Sequence, residues 1–193
     1  DFGVLIPWKT NLLWRAYHNF RHRRPPDLQE EFEQFCKHHA DWLEDFALFM
    51  ALKQAHQGRP WMEWDEPFRK RTATALKTFL AQNQALVDFY RFQQFLFYRQ
   101  WRAVRSAANQ AAIQIIGDVP IFVAQDSCDV WCNPQLFKLK ANGHPHLIAG
   151  VPPDYFSPTG QRWGNPIYNW RVHRETNFDW WKKRIRHTLT QVD

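Results

Sequence analysis

Carboxylate, amide and aromatic side chains are concentrated in the short segment between Pro152 and Pro166. They are Asp154, Tyr155, Phe156, Gln161 and Trp163. Flat aromatic faces stack on the apolar side of a pyranose ring, while amides and carboxylates bind its hydroxyl groups. These residue types suit sugar binding. Composition alone still favours ordinary core aromatics and turn residues, so the hypothesis needs further support.

Asp118 is a second candidate, because it follows a short β-branched run. Ile113 to Ile116 is apolar and lies between a long helical pattern and Gly117, which predicts a buried parallel strand. The carboxyl ends of such strands are where α/β enzymes build their sites. We therefore expect the Asp118 carboxylate to stand at the site edge of a sheet or barrel.

Motifs for other chemistries are absent from the sequence. There is no glycine-rich phosphate loop, HExxH or GxSxG motif, so nothing indicates a nucleotide, zinc-protease or esterase site. Cys128 and Cys132 lie four residues apart, but His144 and His146 after them are too close together for zinc-finger spacing. We expect buried thiols and no metal. The odd total of 3 Cys favours a reducing, cytoplasmic location.

The elements that must position these residues change in character near residue 113. Residues 113–170 hold 5 of the 7 Gly and 7 of the 12 Pro, which is typical of strand ends and ordered loops. The apolar periodicity predicts helices over 10–20, from 27, over 42–55, from 67, over 84–111 and over 180–189. Residues 119–123 are apolar, whereas 124–170 have little periodicity and are predicted to be a long functional loop.

A single strand cannot form a sheet by itself. Phe2 to Ile6 is the only other stretch that could pair with Ile113 to Ile116. The chain also begins at Asp1 rather than Met. We therefore expect an incomplete slice of a larger α/β fold.

The charge distribution argues against a nucleic-acid partner. The net charge is +6, but residues 117–170, which hold the candidate site, carry 3 basic and 4 acidic side chains. A nucleic-acid binder would place a basic stripe among its reading residues, so we interpret the excess as solvated helix faces. The longest apolar run, Phe46 to Leu52, is too short for a membrane span, and no secretory signal is present.

Two strings in the second half of the chain resemble the amylomaltase, or 4-alpha-glucanotransferase, family. The first runs from Ile115 to Ala124 and continues through Asp126-Ser127 and Asp129-Val130-Trp131. The second, more specific, is Ala149 to Ser157 followed by Thr159 to Pro166. Weaker likeness extends to Phe2–Trp14, the helix from Trp42 to Lys53, and Gln100-Trp101.

The resemblance implies a (β/α)8 barrel with an inserted helical subdomain. Residues 1–112 would be a mostly helical region that includes this subdomain. Residues 113–193 would supply a barrel strand, a long active-site loop and the following helix. The implied reaction transfers α-1,4-glucan segments between maltooligosaccharides or starch and glycogen chains. It is a retaining double displacement by two carboxyl groups about 5 Å apart, without a metal or organic cofactor.

By resemblance, the three catalytic carboxylates follow Asp193, and this chain holds none of them. Asp118 would orient groups of the site, although a purely structural hydrogen-bond anchor is an equal alternative. Asp154, Tyr155, Phe156, Gln161 and Trp163 would belong to a loop over the cleft, with the last two contacting acceptor glucose units. This loop would exclude water from the intermediate.

Some positions depart from the family pattern. Cys128 and Cys132 stand where Ala is usual, Lys140 where an acid is common, and Ala112 where Gly is usual, which raises a question about the local backbone. Two other functions remain open: a glucan-binding remnant without catalysis, and a basic helical nucleic-acid binder. The resemblance leaves the oligomeric state undetermined.

Overall fold

Helices account for most of the structure, a computed structural model that describes all 193 residues. The nine α-helices are α1 Phe2–Arg23, α2 Pro26–His38, α3 Ala40–Ala55, α4 Glu66–Arg69, α5 Ala73–Gln82, α6 Gln84–Gln110, α7 Cys128–Cys132, α8 Trp170–Glu175 and α9 Asp179–Leu189. Short 3-10 turns lie at Trp61–Glu63 and Pro134–Leu136. Two strands, β1 Ile148–Val151 and β2 Gln161–Pro166, form the sheet. The predicted helices are confirmed, and α1 is longer than its pattern indicated.

The prediction that Phe2 to Ile6 could form a strand is wrong. The carboxylate of Asp1 accepts a 2.8 Å hydrogen bond from the backbone nitrogen of Gly3 and caps α1, which therefore begins at Phe2. An N-terminal side-chain cap satisfies one of the free N–H groups of the first turn and favours helix over an unpaired strand.

The first of two hydrophobic cores joins α1, α2, α3 and α6. Its buried members are Tyr17, Phe20, Phe32, Phe35, Leu43, Phe89, Phe92, Phe95 and Tyr98. The apolar stripe of α6 supplies four of them and packs against one face of each neighbouring helix. This core therefore holds the long helices together as a bundle.

The second core joins α3 to the C-terminal half of the chain. It includes Leu52 of α3, Trp64, and Trp131 of α7, which lies against Phe49 with ring centroids 5.6 Å apart. Because α3 is apolar nearly all round, one of its faces contributes to each core. The segment that carries the candidate site is thus attached to the helical part by buried aromatic rings.

The predicted buried strand at Ile113–Ile116 is wrong in this structure. These residues form no strand, and the Ile116 side chain is 95% exposed. Their contacts are with the other end of the chain: the backbone nitrogen of Asp193 donates to the Ile115 carbonyl over 2.9 Å. Gly117 lies so close to Val192 that an added Cβ would be 2.5 Å from its Cγ1. A strand needs a hydrogen-bonded neighbour along its length, and only this short contact is present.

The sequence predicted an irregular loop over 124–170, but the structure contains a β-hairpin within this segment. Strands β1 and β2 pair antiparallel, with Gly150 opposite Arg162 and an irregularity in register between Ile148 and Gly150. A Cβ on Gly150 would lie 2.5 Å from the carbonyl oxygen of Gln161, so only glycine permits this close approach. None of the helices is long and apolar enough to cross a membrane.

Candidate functional site

The loop between β1 and β2 is organised by Asp154. Its Oδ1 accepts hydrogen bonds from the backbone nitrogens of Phe156 (3.0 Å) and Ser157 (2.7 Å). The Asp154 nitrogen in turn donates to the Ser157 carbonyl, and the Ser157 hydroxyl donates to the carbonyl of Gly160. This side-chain-to-backbone turn is typical of Asp and fixes the shape of the loop tip. Asp154 therefore serves first as a structural residue of the loop.

Two aromatic side chains project from this turn into solvent. Tyr155 is 94% exposed and Phe156 90% exposed. Their rings meet edge to face, with centroids 5.5 Å apart at 86°. Large apolar side chains with so little intramolecular contact indicate a surface that a ligand or another part of a protein covers. The hypothesis that they are core residues is therefore wrong.

Gln161 and Trp163 lie two residues apart on β2. The indole nitrogen of Trp163 donates to Oε1 of Gln161 over 3.0 Å, so the amide fixes the orientation of the ring. Trp163 remains 48% exposed and touches Phe122 edge to face, with centroids 6.2 Å apart. An oriented, half-exposed indole beside an amide can stack on a flat ligand face while the amide binds a polar substituent.

The base of the hairpin is attached to residues 121–123. The amide of Asn165 donates to the Val123 carbonyl, and the Tyr168 hydroxyl donates to the Ile121 carbonyl, each over 2.9 Å. Phe122 stacks on Tyr168 with an interplanar angle of 9°. The segment after Asp118 and the strand that carries Trp163 thus form one connected unit.

Asp118 itself does not join the other candidates through any direct contact. It is exposed and makes no hydrogen bond or ion pair in the structure. The structure therefore brings together four candidates as two pairs, Tyr155 with Phe156 and Gln161 with Trp163, around the turn formed by Asp154.

A supporting contact that the sequence did not reveal centres on Asp126. Its carboxylate forms an ion pair with Lys53 of α3 and accepts a 3.1 Å hydrogen bond from the backbone nitrogen of Trp61. The Trp61 indole nitrogen donates to the carbonyl of Gln125 over 2.9 Å. These partners lie more than 60 residues apart in sequence, so no local pattern could have identified them.

The two cysteines of α7 lie close to each other, with Sγ atoms 3.5 Å apart. Both are half-buried rather than fully buried, and no group of three or more potential metal ligands occurs in the structure. Ser127 caps α7 through its hydroxyl, which accepts a hydrogen bond from the nitrogen of Val130. The exposed groups around the hairpin are suited to binding and include no activated nucleophile.

The whole chain matches the family model described as 4-alpha-glucanotransferase, over residues 1–193. The 4-alpha-glucanotransferase of Thermus thermophilus is 48% identical over 98% of this chain and 38% of its own length. That of Synechocystis is 45% identical over 100% of this chain and 38% of its own. The chain belongs to the 4-alpha-glucanotransferase family.

A solved structure agrees with this assignment. The amylomaltase from Streptococcus agalactiae in complex with acarbose superimposes with a TM-score of 0.94 at 38% identity, covering 100% of this chain and 39% of that one. The chain therefore spans about two fifths of the length of the relatives that it matches. The resemblance stated from the sequence is confirmed, and the fold corresponds to that share of an amylomaltase.

Proposed function

We propose that this chain is part of an enzyme that transfers α-1,4-glucan segments between maltooligosaccharides or starch and glycogen chains. The reaction would be a retaining double displacement that needs no metal or organic cofactor. Its catalytic carboxylates would lie outside the 193 residues of this chain, in keeping with a match to about two fifths of the relatives' length. Its location would be cytoplasmic, which fits three unpaired thiols.

The observation that carries this proposal is the exposed aromatic and amide surface of the hairpin. Trp163 is oriented by Gln161 and left half-exposed, and Tyr155 and Phe156 are almost fully exposed. Glucose units present an apolar ring face and equatorial hydroxyls, which match an indole beside an amide. Gln161 and Trp163 would contact acceptor glucose units. Tyr155 and Phe156 would belong to the loop that covers the cleft and excludes water from the intermediate.

Asp118 and Asp154 have different roles in this proposal. Oδ1 of Asp154 is already engaged by two backbone N–H groups, so Asp154 would act on the substrate by shaping the loop, with Oδ2 left for a hydroxyl. Asp118 has no intramolecular partner and is free to orient a group supplied by the rest of the enzyme or by the glucan.

We also propose that the chain is a slice of a (β/α)8 barrel. Residues 1–112 would be the mostly helical region with the inserted subdomain, and residues 113–193 would contribute the site loop and the next helix. The 113–116 segment, which is not a strand in this structure, would become a barrel strand only when neighbouring strands pair with it. The backbone contact between Ile115 and Asp193, and the close packing of Gly117 on Val192, support this arrangement. Neighbouring parallel strands would lie side by side in this way when the barrel is complete.

The experiment compares the complete protein with the isolated chain on maltotriose. We expect the complete protein to disproportionate maltotriose into longer and shorter products, and the isolated chain to show neither transfer nor hydrolysis above a mock preparation. Activity of the isolated chain would contradict the absence of catalytic carboxylates. A complete protein that binds maltoheptaose but never transfers would instead be a glucan-binding remnant.

A further inference from the structure

Cys128 and Cys132 form a dithiol within a single helical turn. Their Sγ atoms are 3.5 Å apart and already share a hydrogen bond. The Cα atoms of residues i and i+4 lie within the range of about 4.4–6.8 Å that disulfides span, but their Cβ atoms are about 5–6 Å apart, whereas a disulfide needs about 3.5–4.5 Å, so closure must unwind this turn. Because α7 has 5 residues, closing the sulfur distance requires adjustment of one turn only.

Arg71 makes one of these thiols different from the other. Its Nη1 donates to Sγ of Cys132 over 2.9 Å. Its Nη2 donates to Oδ1 of Asp45 over 2.6 Å, and the guanidinium lies over the Trp131 ring, 4.2 Å from the centroid. The carboxylate and the indole hold the positive charge in place beside the sulfur. A fixed cationic donor at a thiol stabilises the thiolate, the form that reacts with oxidants.

Cys128 has the opposite environment. Its hydrogen bond with Cys132 and its burial raise the pKa of Cys128 well above the usual thiol range. Cys128 is therefore the less acidic thiol of the pair, and Arg71 contacts only Cys132. The third cysteine, Cys36, is separate: it packs against the first core, and burial raises its pKa to about 12. Cys36 is thus a natural internal control for thiol reactivity.

We propose that Cys132 and Cys128 are an oxidation site for small hydroperoxides that closes to a reversible disulfide within α7. The Cys132 thiolate attacks the terminal oxygen of the peroxide, giving the sulfenic acid, and the O–O bond breaks to release an alkoxide or hydroxide that takes up a proton. The Cys128 sulfur then attacks Sγ of Cys132, an S–S bond forms, and the sulfenic oxygen leaves as water with the thiol proton. Overall the two thiols lose two electrons and two protons, and hydrogen peroxide becomes two waters.

Closure must change the surroundings of α7. The sulfur atoms have to approach from 3.5 Å to about 2.05 Å, which turns Cys132 away from Arg71. Trp131, between the two cysteines, is buried in the second core, so the distortion reaches the contact between α7 and α3. We therefore expect oxidation to alter the fluorescence of this buried indole together with the thiol count.

The test treats the complete protein with a small molar excess of hydrogen peroxide, blocks the remaining thiols with N-ethylmaleimide after unfolding and digests with trypsin. We expect the peptide 106–138, which holds both cysteines, to lose two hydrogens and to regain them with dithiothreitol, while Cys36 is alkylated. Oxidation should be at least about tenfold faster in the folded chain than in the guanidinium-unfolded chain, because Arg71 lies 61 residues away in sequence. Equal rates in the two states would overturn the proposal.

Variants assign the individual steps, with circular dichroism used to confirm folding. Cys128→Ser should stop at a sulfenic acid on Cys132 that dimedone traps. Arg71→Gln should slow the oxidation of Cys132 severalfold at pH 7, because it removes the cationic donor that lies 2.9 Å from the sulfur. Asp45→Asn keeps the guanidinium and should oxidise at least as fast as the parent chain.

Two results would contradict the mechanism. One is over-oxidation of Cys128 and Cys132 to separate sulfinic acids without a disulfide. The other is preferential oxidation of Cys36, whose neighbours provide no donor to its sulfur. If a variant fails to fold, the comparison of folded and unfolded parent chain still decides the proposal.

Discussion

The backbone nitrogen of Trp61 donates a 3.1 Å hydrogen bond to Oδ1 of Asp126, while the other carboxylate oxygen pairs with Lys53. One side chain thus joins the end of α3, the turn after it and the segment that leads to α7. The site hairpin is held to the helical part of the chain by this polar junction in addition to the second hydrophobic core.

Removing this junction should destabilise the chain. We expect Asp126→Ala to lower the free energy of unfolding by about 2 kcal/mol, because a half-buried N–H and an ammonium lose a charged acceptor. Asp126→Asn keeps an acceptor for Trp61 and should cost about half as much. Urea unfolding measures both variants. Equal losses in the two would mean that only the charge of Asp126 matters.

Ala112 adopts a conformation that glycine prefers. Its φ of 57° places it in the left-handed region just after α6, where the Ile113 nitrogen donates back to the Ala108 carbonyl. Because a Cβ is strained there, Ala112→Gly should stabilise the chain by about 1 kcal/mol. The neighbouring Ala111, with φ of −88°, is the matched control: Ala111→Gly should be neutral or destabilising. A lower melting temperature for Ala112→Gly would contradict this explanation.

Trp163 should contribute to glucan transfer in the complete enzyme. If its half-exposed indole stacks on an acceptor glucose, Trp163→Ala removes about 1–3 kcal/mol of transition-state binding. This corresponds to a roughly 5- to 150-fold lower kcat/KM for transfer. Trp163→Phe keeps a stacking ring and should retain part of the activity. Unchanged kinetics in the alanine variant would show that Trp163 only packs against Phe122.

Tyr155 and Phe156 should control the fate of the covalent intermediate in the complete enzyme. Water competes with the acceptor hydroxyl at tens of molar, so transfer requires that water be excluded. Replacing both rings with Ala should raise the ratio of glucose released by hydrolysis to glucan transferred. Leu147→Ala, an exposed apolar residue before β1, is the control and should keep the parent ratio. A slower double variant with the parent ratio would mean that the rings only bind substrate.

His173 should make stability depend on pH. It is fully buried, its Nε2 donates to the Leu136 carbonyl over 3.1 Å, and burial lowers its pKa below the usual 6.5. As the pH falls through about 6.5, His173 becomes protonated in the unfolded chain but stays neutral in the folded chain. The contribution of His173 to the free energy of unfolding is therefore fully present above this pH and is lost below it. We expect a lower urea midpoint at pH 5.5 than at pH 7.5.

His173→Gln tests this source of the pH dependence. The Gln side chain can donate to the same carbonyl without titrating, so the difference between the two midpoints should shrink. Some difference should remain, because burial also lowers the pKa of His39 and His187. An unchanged difference would show that His173 does not contribute.

The sequence by itself determined the helices, the family and the candidate residues. The helices could be predicted because their signals are local: the apolar residues of α3 and the apolar stripe of α6 each recur within a few turns. The string that contains Gln161 and Trp163 was specific enough to indicate the family.

Only the tertiary structure decided how these pieces meet. The hairpin escaped prediction because β1 is 4 residues long and its pairing depends on Gly150 approaching the backbone of Gln161, a contact across the loop. Ile113 to Ile116 has the composition of a strand, but a strand exists only where partners satisfy its backbone groups. The hydrogen bonds from Arg71 to Cys132 and from Trp61 to Asp126 join residues about 60 apart in sequence. Apolar periodicity describes one helix or strand at a time, so it could not predict them.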